Sequence, residues 1–154
     1  MNPTNLIVDE SGPTPAEYCE LRAINDMSKR TISVAEQALP HSLLSLALRD
    51  QSGVCIAMGR VVGDGASWFV IVDIAVRPEH HSGGIGTHLM RIMMRWIAER
   101  AEESAAIILQ ADIPADRLYA RFGFRHTAPG TVGMSIHVGR TPFDPEGNLG
   151  SQIL

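Results

Sequence analysis

A mixed α/β sheet in a single domain is the fold this sequence predicts, and three observations lead there. Three strand-like runs, residues 43–49, 54–62 and Trp68–Val76, follow one another across short polar turns, which makes an antiparallel meander the natural pairing. A long amphipathic stretch follows, and then the continuous apolar run 106–111. Strand, helix and strand there form one parallel βαβ unit, right-handed by the usual rule, in a sheet that is otherwise mostly antiparallel and flanked by helices. A length of 154 residues with 45% hydrophobic residues suits one core. Residues 1–154 are therefore expected to form one domain, with 139–154 as an extended tail.

Residues 6–10 form a short candidate first strand. Thr14-Pro15-Ala16-Glu17 opens a helix. Thr14 can cap it, Pro15 suits its first position, and Glu17 completes a reciprocal capping box. Tyr18, Leu21 and Ile24 recur at helical spacing and carry this helix to about Met27. Residues 33–39 read as a second short helix stopped by Pro40. The meander strands are separated by Asp50-Gln51-Ser52-Gly53 and Gly63-Asp64-Gly65, both turn chemistry. In the long helix Ile85, Leu89, Ile92 and Trp96 make an apolar stripe, while Arg91, Arg95, Glu99 and Glu102 line another face. Residues 114–122 form a short helix ended by Gly123. Residues 124–127 and 132–138 suggest two closing strands around Pro129-Gly130.

Charge and composition exclude several classes. The net charge is −4, and among the scattered basic residues only Lys29 and Arg30 are adjacent. A nucleic-acid partner normally requires a clustered basic face. The richest apolar run, residues 66–76, carries Ser67 and Asp73 and is too short to span a bilayer. The N-terminus lacks a basic segment followed by an apolar one, so a cytoplasmic location is expected. Cys19 and Cys55 belong to no CxxC pair and read as reduced, buried thiols. The six histidines show no zinc-site spacing, so no metal is expected. Met90, Met93 and Met94 on the long helix read as core filler.

The chemistry concentrates where the strand Trp68–Val76 turns into the long helix, at His80-His81-Ser82-Gly83-Gly84-Ile85-Gly86-Thr87. Three glycines within four residues at a helix start leave backbone N–H groups uncovered at the positive end of the helix dipole, a site for phosphate oxygens. No GxxxxGK[ST] is present, and Gly84, Gly86 and Leu89 do not complete GxGxxG.

The stretch from Ile71 to Thr87 resembles the acetyl-CoA signature of the GNAT superfamily of N-acetyltransferases. Its Q/R-x-x-G-x-G/A element maps onto His81-Ser82-Gly83-Gly84-Ile85-Gly86. Leu118-Tyr119-Ala120-Arg121-Phe122-Gly123-Phe124 resembles the family's second signature, a tyrosine helix followed by Gly-Phe. The likeness covers about residues 6–138. Two departures stand out: His81 replaces the usual Gln or Arg, and Asp112 stands where many relatives have Asn.

The resemblance implies acetyl-CoA as cosubstrate, and an amine of a small molecule or an exposed peptide as acceptor. The pantetheine arm would lie along the backbone of Ile74, Ala75 and Val76 like an added strand, its phosphates at His81, Ser82, Gly83, Gly84, Ile85, Gly86 and Thr87, with Asp112 near the tyrosine helix. The N–H near Val76 is the candidate oxyanion donor. Tyr119 is the candidate acid for the departing thiolate. Asp73, the sole acid of its strand, is the candidate base, placed by alternation on a face opposite Val72 and Ile74. Direct attack is favoured over a cysteine-linked route. Two alternatives stay open: a non-catalytic acetyl-CoA sensor on the same fold, and, less favoured because a meander precedes the βαβ unit, a Rossmann nucleotide-binding domain. A homodimer is compatible with the sequence, and neither a membrane nor nucleic acid is an expected partner.

Overall fold

The computed structural model describes residues 3–137 and residue 145. Among them the chain runs β1 (Ile7–Asp9), α1 (Pro15–Ile24), α2 (Ile32–Ala38), β2 (Leu44–Arg49), β3 (Cys55–Gly63), β4 (Trp68–Val76), α3 (Ile85–Ala98), β5 (Ala106–Leu109) and α4 (Asp116–Ala120). The strands form one sheet in sequence order. β1 to β4 pair antiparallel, and β5 joins β4 in parallel across α3. The predicted mixed sheet, meander and single βαβ unit are all present.

Local chemistry sets the helix starts. Thr14 accepts from Glu17 N while Thr14 N donates to the Glu17 carboxylate at 2.8 Å, completing the capping box of α1. This helix ends at Ile24, earlier than expected, because Asp26 turns to a φ of 54° and Met27 N bonds back to Arg22 O. Thr31 caps α2 through Val34 N, so that helix begins one residue before the expected start. α4 is shorter than residues 114–122. Asp112 contributes to its start through a backbone carbonyl that accepts from Ala115 N, and the helix has no side-chain cap.

The sheet is covered on both faces. Leu89, Met90, Met93 and Ile97 of α3 are fully buried against Leu46, Leu48, Ile56 and Phe69 on one side. Tyr18 and Leu21 of α1 and Ala35 of α2 cover Ala47, Met58 and Ala75 on the other. Each large apolar side chain so buried contributes about 1.5–3 kcal/mol. Double coverage explains why β3 is buried continuously from Cys55 to Val61. The buried face of α3 is rotated from the expected stripe: Ile85 and Leu89 lie in it, but Ile92 and Trp96 flank it, and Met90, Met93 and Ile97 take the centre. Among the described residues no helix is long and apolar enough to cross a membrane.

All these elements lie in one compact unit, Met1–Phe124, and Arg125–Leu154 form a second. The closing strands expected at 124–127 and 132–138 do not form among the described residues. A turn closed by Thr131 N on Thr127 O occupies their middle. Val132, Met134 and Ile136 alternate as a strand would, yet all are exposed. A strand pattern without a paired edge or a covered face has nothing to stabilise it. Val138 and, apart from residue 145, the tail 139–154 lie outside the described residues.

Candidate active site

β4 does not keep step with β3. Met58 faces Ala75 and Arg60 faces Val72, so Gly59 opposes two residues of β4, a β-bulge. Asp73, inside the bulge, has a φ of 59°, a left-handed conformation that Asp adopts more readily than most residues. A Cβ on Gly59 would lie 2.6 Å from Ile74 Cδ1, so the glycine leaves room for the bulged strand. Phe69 and Ile71 pack on the α3 side, and beyond the bulge Ile74 and Val76 do so, while Ala75 faces α1. The simple alternation expected over Trp68–Val76 therefore slips by one residue at Asp73.

The other edge of β4 is paired only in part. β5 matches Trp68 through Ile71 with Ala106 through Leu109, and there the pairing ends. Arg77 N donates to Ile56 O at 2.9 Å, so the preceding residue, Val76, turns its own backbone groups to the opposite edge. Its carbonyl there accepts from His81 Nε2 at 2.9 Å, and its N–H faces the gap. A carbonyl can only accept, so His81 carries its proton on Nε2.

The gap opens into a cleft of about 450 Å³. Ile74, Ala75 and Val76 form one wall from β4. His81, Ser82, Gly84, Ile85, Gly86 and Thr87 form the second, and Leu118, Tyr119 and Arg121 close it from the α4 side. Most of the sequence-predicted cofactor residues thus meet at one place. Gly83, Asp112 and Asp73 do not line it. Sequence reasoning missed Asn25, His80, Ala115, Leu118 and Arg121. Leu118 and Arg121 flank Tyr119 within the tyrosine-helix segment, so helical spacing could have found them. Asn25 comes from the C-terminal end of α1 and left no signal.

Gly84, the N-cap of α3, has a φ of 76° and supplies no side-chain cap; Ser82 before it also has a positive φ, 68°. The first N–H groups of a helix have no intrahelical acceptor, and the dipole adds partial positive charge there. Arg121 Nη1 reaches Thr87 Oγ1 at 3.4 Å, placing a cation beside the same turn.

Tyr119 is buried, with its ring edge-on to Phe124 at 6.4 Å. Burial, and after it the charge of Asp112, raises its phenol above the usual value of 10.0. Asp73 is engaged elsewhere: its carboxylate is paired with Arg22 and Arg60 and accepts from the Tyr18 hydroxyl. Burial pushes the Cys55 thiol up to about 11.

A bulged strand left unpaired beyond Ile71, with an uncapped helix start at the mouth of the gap, makes this a mixed α/β fold with its cleft at the end of the parallel pair. A family model for the acetyltransferase (GNAT) family matches residues 7–124. The chain belongs to the GNAT acetyltransferase family. It is 41% identical to a Staphylococcus aureus protein of unknown function, a probable acetyltransferase, with a TM-score of 0.83 over 86% of this chain and 98% of that one. A GNAT-family acetyltransferase from Streptococcus pneumoniae shares the fold at 23% identity and a TM-score of 0.68, over 88% of this chain and 98% of that one. So does a Brucella melitensis GNAT acetyltransferase solved with acetyl-CoA, at 19% identity and a TM-score of 0.57, over 78% and 82% of the two chains. No curated protein matches.

Proposed function

We propose that this protein transfers the acetyl group of acetyl-CoA to an amino group of a small molecule or an exposed peptide, by direct attack in a ternary complex. One observation carries the reading. The β4 edge left unpaired beyond Ile71 leads, within a single cleft, from the uncapped start of α3 to Tyr119.

The residues suit acetyl-CoA. An extended amide-bearing arm can pair with the free edge at Ile74–Val76 as an added strand, and the pyrophosphate can accept from N–H groups at Ser82–Thr87, with Arg121 close by. The Brucella complex supports the same cosubstrate. When bound, an acetyl thioester supplies an activated acyl carbon and a thiolate leaving group. Val76 N–H faces the gap and can stabilise negative charge that develops on the acyl oxygen. Tyr119, kept protonated by burial, can donate a proton to the departing sulfur.

Asp73 is not the base in this reading. Both of its oxygens are held by guanidinium or phenol donors, and it does not line the cleft. The acceptor amine enters neutral and releases its proton to water. Cys55 stays a thiol at neutral pH, and neither it nor Cys19 lines the cleft, which favours direct attack over an acyl-cysteine route. The cytoplasm is the compartment we propose.

The test is thiol release from acetyl-CoA with a panel of amines, run beside calorimetric CoA binding. Amine-dependent release with acetylated nitrogen in the product is the expected result. CoA binding without turnover on any amine would favour the sensor reading, and absence of both would overturn the assignment of the cleft.

A further inference from the structure

Asp73 gathers side chains from two other elements. Its carboxylate pairs with Arg22 of α1, accepts from Arg60 Nε of β3 at 2.8 Å, and accepts from Tyr18 Oη of α1 at 3.2 Å. The side chains of Arg22, Arg60 and Asp73 are each less than a tenth exposed. Each guanidinium carbon stands 5.5 Å from the centroid of the Tyr18 ring, which therefore packs against both cations. The arginines are held in turn by backbone. Arg22 donates from Nε and Nη2 to Ser28 O at 2.9 and 2.6 Å, and Arg60 Nη1 donates to Ala38 O and Ser42 Oγ, both at 3.0 Å.

A buried ionic cluster gains little over apolar packing of the same volume, so its presence points to geometry. The geometry at stake is the bulge. There the ladder between β3 and β4 is interrupted and Asp73 adopts a left-handed φ, so the backbone has lost the regular hydrogen bonds that would hold its direction. The three residues that follow, Ile74, Ala75 and Val76, are the β4 wall of the cleft.

We infer that the Tyr18–Arg22–Arg60 clamp on Asp73 is a positioning device that fixes the bulge and so aims Ile74–Val76 along the cleft. The same clamp reaches a second part of the lining: Arg22 holds Ser28 O, and Asn25, between them in sequence, lines the cleft. The wall proposed for acetyl-CoA and the end of α1 are set by one cluster. That last consequence rests on the function proposed above; the fixing of the bulge does not.

The experiment uses the full chain and two substitutions. Asp73→Gly adopts the left-handed φ freely but has no clamp, whereas Asp73→Asn keeps tolerance for that φ and one neutral acceptor oxygen. Amide hydrogen exchange is read at Ala75 and Arg77, whose N–H groups face β3 beyond the bulge, against Phe69 and Ile71, and CoA affinity is read by calorimetry. In Asp73→Gly, exchange at Ala75 and Arg77 should rise about tenfold or more while Phe69 and Ile71 change little. CoA affinity should weaken about tenfold, with Asp73→Asn intermediate in both. Exchange that rises equally along β4 would overturn the proposal. So would unchanged CoA affinity in a folded variant whose parent binds CoA, since the cluster would then only stabilise. If Asp73→Gly does not fold, Arg60→Lys, which keeps the charge but loses the bonds to Ala38 and Ser42, is read by the same criteria. If the parent binds no CoA, the proposed function fails, and the exchange pattern alone decides for or against the clamp.

Discussion

At Gly84 the objection to a side chain is conformational. A Cβ there would find Pro3 Cγ at an ordinary 3.7 Å, but the φ of 76° is left-handed, which costs an L-residue about 1–2 kcal/mol. Gly84→Val should relieve that strain by reshaping the turn in the free protein and raise the CoA dissociation constant about tenfold, measured by calorimetry. Unchanged affinity in the folded variant would remove this turn from the binding site. Tyr119→Phe removes only a hydroxyl and should leave CoA affinity nearly unchanged while turnover falls about 10²–10⁴-fold. The pH dependence has a definite sign. The Tyr119 phenol is raised above 10.0, so it remains a proton donor at neutral pH and its ionisation lowers the rate only above pH 10. Below that, the rate should rise with pH as the acceptor amine loses its proton, a limb that Tyr119→Phe should retain. A decline in kcat/KM beginning well below pH 10 would count against Tyr119 as the acid.

Arg49 shows how one side chain joins elements. From β2 it pairs with Asp9 of β1 at 2.7 Å and Glu17 of α1 at 2.6 Å, and it also donates to Gly12 O and Gly53 O. These bonds register the short edge strand β1 and the start of α1 on the sheet. Asp9 is held below the usual carboxylate range by its hydrogen bond from Ser11 and then by Arg49, and Glu17 mainly by Arg49. Carboxyls depressed in the folded state contribute stability that is complete above their unfolded values near pH 4 and is lost as pH falls through their folded values. Arg49→Met should cost about 2 kcal/mol at neutral pH, a drop of roughly 4–8 °C in Tm. It should also flatten the decline in stability between about pH 5 and pH 2. A variant whose Tm falls as steeply with acid as the parent's would show that the acid sensitivity resides elsewhere.

On the scale of the whole molecule, the cleft draws its walls from the end of α1, the end of β4, the start of α3 and α4. A ligand that touches all of them binds the folded chain and not the unfolded one. At a hundredfold excess over its dissociation constant it should add about 2.7 kcal/mol. For a chain of this size that is a rise of roughly 5–10 °C in Tm with CoA present. Gly84→Val should need about ten times more CoA for the same shift. No shift with millimolar CoA would detach the cleft from its proposed ligand.

Features built from near neighbours were legible in the residues themselves. The Thr14–Glu17 box, the turns between the meander strands, the glycine turn before α3 and the tyrosine helix each depend on residues a few positions apart, and each lies where local chemistry puts it. With the family resemblance added, Ile74, Gly84, Gly86 and Tyr119 were assigned to one site, and all four line the cleft. Other features needed the assembled sheet. The bulge at Asp73 arises from a register with β3 that no pattern within β4 announces; Asp73 still shares the α1 face with Ala75, but Phe69 and Ile71 before it now share the other face with Ile74 and Val76. The partners of that carboxylate lie 55, 51 and 13 residues away, so nothing adjacent to Asp73 foretold that it would be clamped. His81 bonds the Val76 carbonyl because the bulged strand and the turn after it fold back on each other. At residues 132–136 the alternation alone was not enough, because a strand is stabilised by the edge and face it meets, and these are set by tertiary structure.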